Sequence, residues 1–567
     1  MNFRALMLFA SSLMVAWSAC STPPGLGGVL AEVATTPPAQ EWHVGPEVDL
    51  SKTGPARFVP PLYAAFQPER AMQLVNFIDG FYRAPANRGY DTVLERLVQE
   101  LRAAGFGGED SRLSLETIQG PVEEAWTPLS AELVLLADGE KPRELHAFDQ
   151  PEDVDRVMLP VYAPSCELEG EVALSLDELK KGMILVTDVS ATQVKQRAEF
   201  AGAAAVVSAS LESFNEDPSG RNRHMEAIQY RELSGGNTLP VFQISKKSLI
   251  AIEEAVDRAR VRKRKVRLAL SAQVEVEPRP LRTLVATIKG SSRPMEAIAM
   301  VSHVQEPGAC DNATGVASLV ESARALAELL RQGKLAWPDR SLVFIWGDEF
   351  RQTESWLGHT DMQPVVGISS DMTGQNLEET GAIARLERMP DPGALTTLPP
   401  DDHTPWGAGE VKVEELKPNG FAVIARCAMV DVGLQDGSWR CADHPWEGGS
   451  DHDIFIRRGI PAVLFWHFTD FTYHTSLDRL SFVDSKEMRR TGVAILASAL
   501  AVADPEPGDL ERYLKSLDME REVRLGAAIE AESPELEALW GMWCDGARDW
   551  LRKLCLGIDE DLPGTGH

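Results

Sequence analysis

Past residue 283 the chain repeats one pattern: short apolar runs separated by stretches whose apolar residues recur at helical spacing. The runs are LVATIKG (284–290), EAIAMVSH (296–303), SLVFIWGDE (341–349), VVGISSDM (365–372) and AVLFWHF (462–468). Runs that are apolar without alternation suit strands buried on both faces, as in a parallel sheet. The segment ASLVESARALAELL (317–330) between two of them has the 3.6-residue period of a helix. Strands alternating with helices predict an α/β fold, a mostly parallel central sheet with helices on both faces. Upstream, 67–105 predicts two amphipathic helices joined by a Pro/Gly turn, and 125–284 changes to short strands and turns. Within that stretch, 180–210 reads strand, helix, small-residue turn, strand. After 505, ERYLKSLDMEREVRLGAAIEA and LEALWGMWCDGARDWLRKL predict a helical tail. The expected organisation is one domain from 46–124 and 285–505, a β-rich insert over 125–284, and a C-terminal helical extension over 506–567.

Composition bears this out only broadly. A chain of 567 residues is too long for one ordinary core. Hydrophobic content of 44% and charged content of 25% are those of a globular protein. The formal net charge of −29 argues against nucleic acid as a partner, and VRKRKVR (261–267) reads as a solvated face. The first residues have the form of an export signal: Arg4, then ALMLFASSLMVAW, then the small-residue site Ser18-Ala19-Cys20. Cleavage before Cys20 would make a bacterial lipoprotein, although Trp17 stands where such signals normally carry Leu, and simple cleavage is the alternative. The expectation is therefore a signal segment over 1–20, a tether over 21–45, and a place in the periplasm or at the outer membrane, with membrane contact only through a lipid on Cys20. Of the six later cysteines none forms a CxxC pair. In an exported chain Cys427–Cys441 and Cys544–Cys555 are candidate disulfides, and Cys310 reads as a packing residue.

The candidate chemistry lies at strand ends, where open α/β sheets place ligands. His303 closes EAIAMVSH, Asp311 lies in the turn before the next helix, Asp348 and Glu349 follow SLVFIWG, Asp371 follows VVGISS, and His474 lies beyond AVLFWHF. Two histidines with several carboxylates form a donor set for zinc with open coordination positions. Taken singly, Asp311-Asn312 suits a helix cap and Asp348-Glu349 a solvated loop; taken together, the ligand reading is the better one.

Three segments carry a resemblance. GACDNATGVASLVESAR (308–324), SDHDIFIRRGIPAVLF (450–465) and YHTSLD (473–478) resemble, in order and spacing, the GA-x-DN-[AS]-[ST]-G, SDH-x-x-F…GIPA and YHT-x-x-D segments of the M28 zinc aminopeptidases. The resemblance implies a zinc-dependent exopeptidase fold, peptide substrates and two Zn2+, with a protease-associated-like domain around 155–250. It assigns Asp311 as the bridging ligand, His303 and Asp371 to one zinc, and Glu349 and His474 to the other. Asp348, just before the ligand Glu, is implied as general base, one methylene shorter than the family's usual Glu. Gln305 stands where the family has an Asp behind the ligand histidine, so it could hold the ring without charging it. Asp478 is the residue expected to orient His474, and Asp451 is nominated to hold a free α-amino group.

Three functions follow: a di-zinc aminopeptidase, a carboxypeptidase-like or cyclising relative, or a catalytically weak metal-binding lipoprotein that serves as a scaffold. Trp406, Trp439 and Trp446 are candidate pocket residues.

Overall fold

The apolar runs become the central strands of the computed structural model, which describes residues 52–557. Thirteen strands follow in chain order: β1 (Leu113–Ala137), β2 (Arg143–Phe148), β3 (Cys166–Ala173), β4 (Ile184–Thr187), β5 (Ala205–Ser208), β6 (Val241–Gln243) and β7 (Val266–Ile288), then β8 (Arg293–His303), β9 (Arg340–Gly347), β10 (Gln363–Ser370), β11 (Ile383–Glu387), β12 (Cys441–His444) and β13 (Ala462–Phe468). In the central sheet β13, β10, β8 and β9 are parallel neighbours. The antiparallel strands β7 and β11 flank them. Period-two geometry sends successive residues to opposite faces. Ile298 and Met300 of β8 therefore join one core, with Val316, Leu319 and Leu496, while Ala297, Ala299 and Val301 join a smaller one with Trp356 and Phe455. Both faces are covered, so these strands have no polar alternation. A parallel arrangement brings the C-terminal ends of β8, β9 and β10 to the same edge.

β1 and β7 are 25 and 23 residues long and pair antiparallel from Leu113↔Ile288 to Ala137↔Val266. They run out of the central sheet into a second hydrophobic core built on Leu133, Val186, Val207, Phe242, Ile252 and Leu268. The boundaries expected at 124/125 and 284/285 thus fall inside two continuous strands. The stretch between them is not purely β: β3 to β6 pair in parallel, with helices Ala191–Phe200 and Lys246–Arg262. The C-terminal residues form helices Asp509–Glu530 and Pro534–Leu556, packed on each other.

The expected disulfides are absent: Cys427, Cys441, Cys544 and Cys555 are free. Cys544 and Cys555 lie on the single helix Pro534–Leu556, three turns or about 16 Å apart along its axis, beyond the reach of an S–S bond. Among the described residues no helix is long and apolar enough to cross a membrane. The signal segment, the tether and Cys20 lie outside the described residues.

Candidate metal centre

His303 ends β8, Glu349 and Asp371 follow β9 and β10, Asp311 lies just before helix Ala313–Arg331, and His474 sits in the loop after β13. All five line one cavity of about 200 Å3, together with Glu306 and the aromatic walls Trp406, Trp466 and Tyr473. His303 Nδ1 lies 3.1 Å from the Gln305 carbonyl. A carbonyl only accepts, so Nδ1 carries a proton, and Nε2 faces the cavity. That nitrogen lies 3.1 Å from Asp371 Oδ1, 3.5 Å from Asp311 Oδ1 and 4.0 Å from Glu349 Oε1. His474 Nε2 lies 3.0 Å from Asp311 Oδ2 and 3.0 Å from Glu306 Oε2. The two oxygens of Asp311 therefore divide between the two histidines, the arrangement a bridging carboxylate requires.

Four carboxylates converge here with no Lys or Arg in the lining. Burial and the neighbouring Asp311 charge push the Glu306 carboxyl up to about 7. Burial also raises Glu349 well above the usual carboxylate range. Asp311 is buried as deeply, yet the hydrogen bond and charge of His474, with the charge of His303, hold it at about 2. Burial opposes charge on the imidazoles too, but the carboxylates pull both well above the ordinary histidine range. With no guanidinium or ammonium in the lining, only the two imidazoles offset these carboxylates, a task that bound cations would take over. Two overlapping groups, His303–Glu349–Asp371 and His303–Glu306–Asp311, each bring donor atoms within 4.8 Å of one another. Imidazole nitrogens with carboxylate oxygens fit divalent metal ions.

The structure corrects several expected roles. Asp348 is outside the cavity: it is buried, its carboxylate is bonded by Arg351, and burial pushes it up to about 6. β9 ends at Gly347 and the chain turns at 348–350, and here Glu349 is the one that faces in. The turn is held there by Gln305 Oε1, which accepts from the Glu349 N–H at 2.8 Å, and by Asp451, which accepts from the Phe350 N–H at 3.0 Å. The Gln305 side chain thus holds Glu349, while its carbonyl holds His303. Asp451 is not an exposed acid awaiting an amine. It is fully buried and also accepts from Gln352 Nε2 at 2.7 Å and Thr353 Oγ1 at 2.6 Å. Asp478 does not orient His474. It accepts from the backbone N–H groups of Cys310 and Asp311, at 2.6 and 2.9 Å, and so positions Asp311 itself. Of the three tryptophans only Trp406 lines the cavity; Trp439 donates to Glu487 and Trp446 to Asp453.

Sequence reading missed four contributors. Glu306 is a carboxylate in the short loop between two expected ligands, and that position was its one signal. Ser450 donates to Asp371 Oδ2 at 2.9 Å. Tyr230 N–H and Gln229 Nε2, both from the region between β5 and β6, donate to the His474 carbonyl at 2.7 and 2.8 Å; no local pattern announces such long-range contacts. A further buried group, Glu387, His444 and Glu447, lies behind the cavity wall. The Trp466 indole donates to His444 Nε2 at 2.8 Å, which puts the His444 proton on Nδ1, 3.6 Å from Glu447 Oε1 and without a hydrogen-bond partner.

Residues 283–349 match the family model Peptidase family M28. A comparison with curated proteins finds no match. Among solved structures, a Peptidase M28 precursor from Shewanella amazonensis aligns with a TM-score of 0.54 at 15% identity, over 79% of this chain and 96% of that one. A zinc aminopeptidase from Bacillus subtilis aligns with a TM-score of 0.51 at 15% identity, over 77% and 96%. At such identity these two speak for the fold alone. Sequence match and fold agree with the motifs at 308–324, 450–465 and 473–478, and the chain resembles the M28 peptidases in all three respects.

Proposed function

We propose that this protein is an exported zinc-dependent aminopeptidase that removes N-terminal residues from peptides. The observation that carries the reading is a small cavity whose polar wall is two histidines and four carboxylates, with no Arg or Lys. With no Arg or Lys to pair a terminal carboxylate, this lining favours the aminopeptidase over a carboxypeptidase-like relative. VRKRKVR runs from the end of helix Lys246–Arg262 through a turn into the first residues of β7, where that strand pairs with β3 rather than with the central sheet.

In this reading His303, Asp311, Asp371 and His474 are among the residues that would hold zinc. When bound, zinc supplies Lewis-acid polarisation of the scissile carbonyl and a more acidic water. Glu349 has no hydrogen-bonded partner for its carboxylate and faces the same space. It accepts the proton of the attacking water and returns it to the nitrogen of the leaving peptide as the C–N bond breaks. Trp406, Trp466 and Tyr473 offer apolar surface to the first side chain of the substrate. The small volume suits a chain end rather than an internal segment.

The ion pair between Asp348 and Arg351 favours a second reading, a metal-binding lipoprotein with little turnover, because the residue implied as base is occupied. Zinc content and hydrolysis of aminoacyl-p-nitroanilides decide between them: zinc with turnover supports the first reading, zinc without turnover on any aminoacyl or peptide substrate the second. Export and the lipid on Cys20 belong to the proposal and rest on the sequence of 1–20 alone; palmitate labelling of the parent and a Cys20→Ala variant tests them.

A further inference from the structure

Glu306 points into the cavity because its backbone is forced to. Its φ is +82°, a region that non-glycine residues seldom occupy. The Glu306 N–H donates to the Arg83 carbonyl at 2.8 Å. The buried Arg83 guanidinium in turn donates to the carbonyls of Val304 at 2.9 Å and Gly308 at 2.6 Å. The loop is therefore wrapped around one arginine, and an unfavourable conformation persists where its surroundings over-determine it, commonly at functional sites.

The contact that Glu306 makes is specific. A carboxylate that only orients a metal-binding histidine bonds the ring nitrogen remote from the metal. Glu306 Oε2 instead lies 3.0 Å from His474 Nε2, the same nitrogen that Asp311 Oδ2 approaches. Glu349, expected beside His474, is grouped instead with His303 and Asp371, its Oε1 4.0 Å from His303 Nε2. We propose that Glu306 is a metal-binding residue, which with His474 Nε2 and Asp311 Oδ2 forms the second divalent-cation position. His303, Asp371 and Asp311 Oδ1 form the first, and Glu349 is released from ligation to act on protons. The proposal rests on the zinc reading above and adds to it a ligand exchange, Glu306 for Glu349.

The test is calorimetric titration of zinc into the full-length protein stripped with chelator, with circular dichroism as the check on folding. The parent is expected to take up two ions per chain. Glu306→Gln, nearly isosteric, is expected to weaken one of the two by about 100-fold, the upper end of what loss of even an outer partner costs; Glu349→Gln should retain both. Two ions at parental affinity in Glu306→Gln overturn the proposal, as does loss of the second ion in Glu349→Gln alone. If Glu306→Gln does not fold, Glu306→Asp decides: the shorter donor should bind the second ion more weakly than the parent, and unchanged affinity counts against the ligand role. A parent that binds no zinc at all refutes the function above rather than this assignment.

Discussion

Glu349 and Asp348 are neighbours in sequence, and the structure gives them opposite surroundings, so exchanging each for its amide separates base from bystander. Glu349→Gln keeps volume and leaves the turn intact, since Gln305 and Asp451 hold the backbone of 349 and 350 rather than the Glu349 side chain. It removes the one cavity carboxylate grouped with neither His474 nor a hydrogen-bond donor. General acid–base catalysis contributes about 10²–10⁴-fold, which at 1.36 kcal/mol per decade is about 2.7–5.4 kcal/mol of barrier. Steady-state hydrolysis of leucyl-p-nitroanilide should therefore show kcat down by about 10²–10⁴-fold, with KM and zinc content near those of the parent. Asp348→Asn removes a charge that never reaches the cavity and should leave kcat within about tenfold of the parent. The opposite result, a collapse of kcat in Asp348→Asn with Glu349→Gln active, would refute the reasoning and return the base role to Asp348.

Three further outcomes follow from the same geometry. Asp348 has its carboxyl raised to about 6 by burial, so the folded protein binds its proton more tightly than the unfolded chain does; folding stability contributed by this group is greatest below about pH 4 and falls as pH rises to about 6. Urea unfolding at pH 4, 5, 6 and 7 should show Asp348→Asn gaining on the parent across that window by at most about 3 kcal/mol, and a difference that stays flat with pH would contradict it. Asp451→Ala strands the Phe350 N–H and the donors of Gln352 and Thr353, and leaving buried donors unpaired costs about 1–3 kcal/mol each at most; a clear drop in melting temperature with loss of activity is expected, and a melting curve like the parent's would rule out its structural role. Trp406→Ala should lower kcat/KM for substrates with large apolar first residues while sparing alanyl ones, and equal loss on both would remove Trp406 from the substrate wall.

Local pattern decided a good deal about this protein. Uninterrupted apolar runs at 296–303, 341–349, 365–372 and 462–468 mark central strands because a strand covered on both faces has no solvent side to alternate toward. The runs also locate His303, Glu349 and Asp371, since strand ends in a parallel sheet share one edge. The turn before helix Ala313–Arg331 was legible from Asn312, whose side chain accepts from the Gly315 N–H at 3.0 Å as a cap. Direction was not legible. Whether Asp348 or Glu349 faces the cavity depends on Gln305 and Asp451, respectively 44 and about 100 residues away in the chain, gripping one turn. Glu306 gained its place from Arg83, 221 residues from the carbonyl of Val304 that it holds. The roles expected of Asp451 and Asp478 failed for the same reason: a carboxylate's task is set by which donors surround it, and those donors arrive from other elements. The cysteines differ in kind, because an oxidising compartment favours pairing but only the helix spanning Cys544 and Cys555 shows that their sulfurs cannot meet. Periodicity is a property of neighbours in sequence and survives without tertiary contacts; side-chain aim and hydrogen-bond partnership belong to the closed packing of the whole chain.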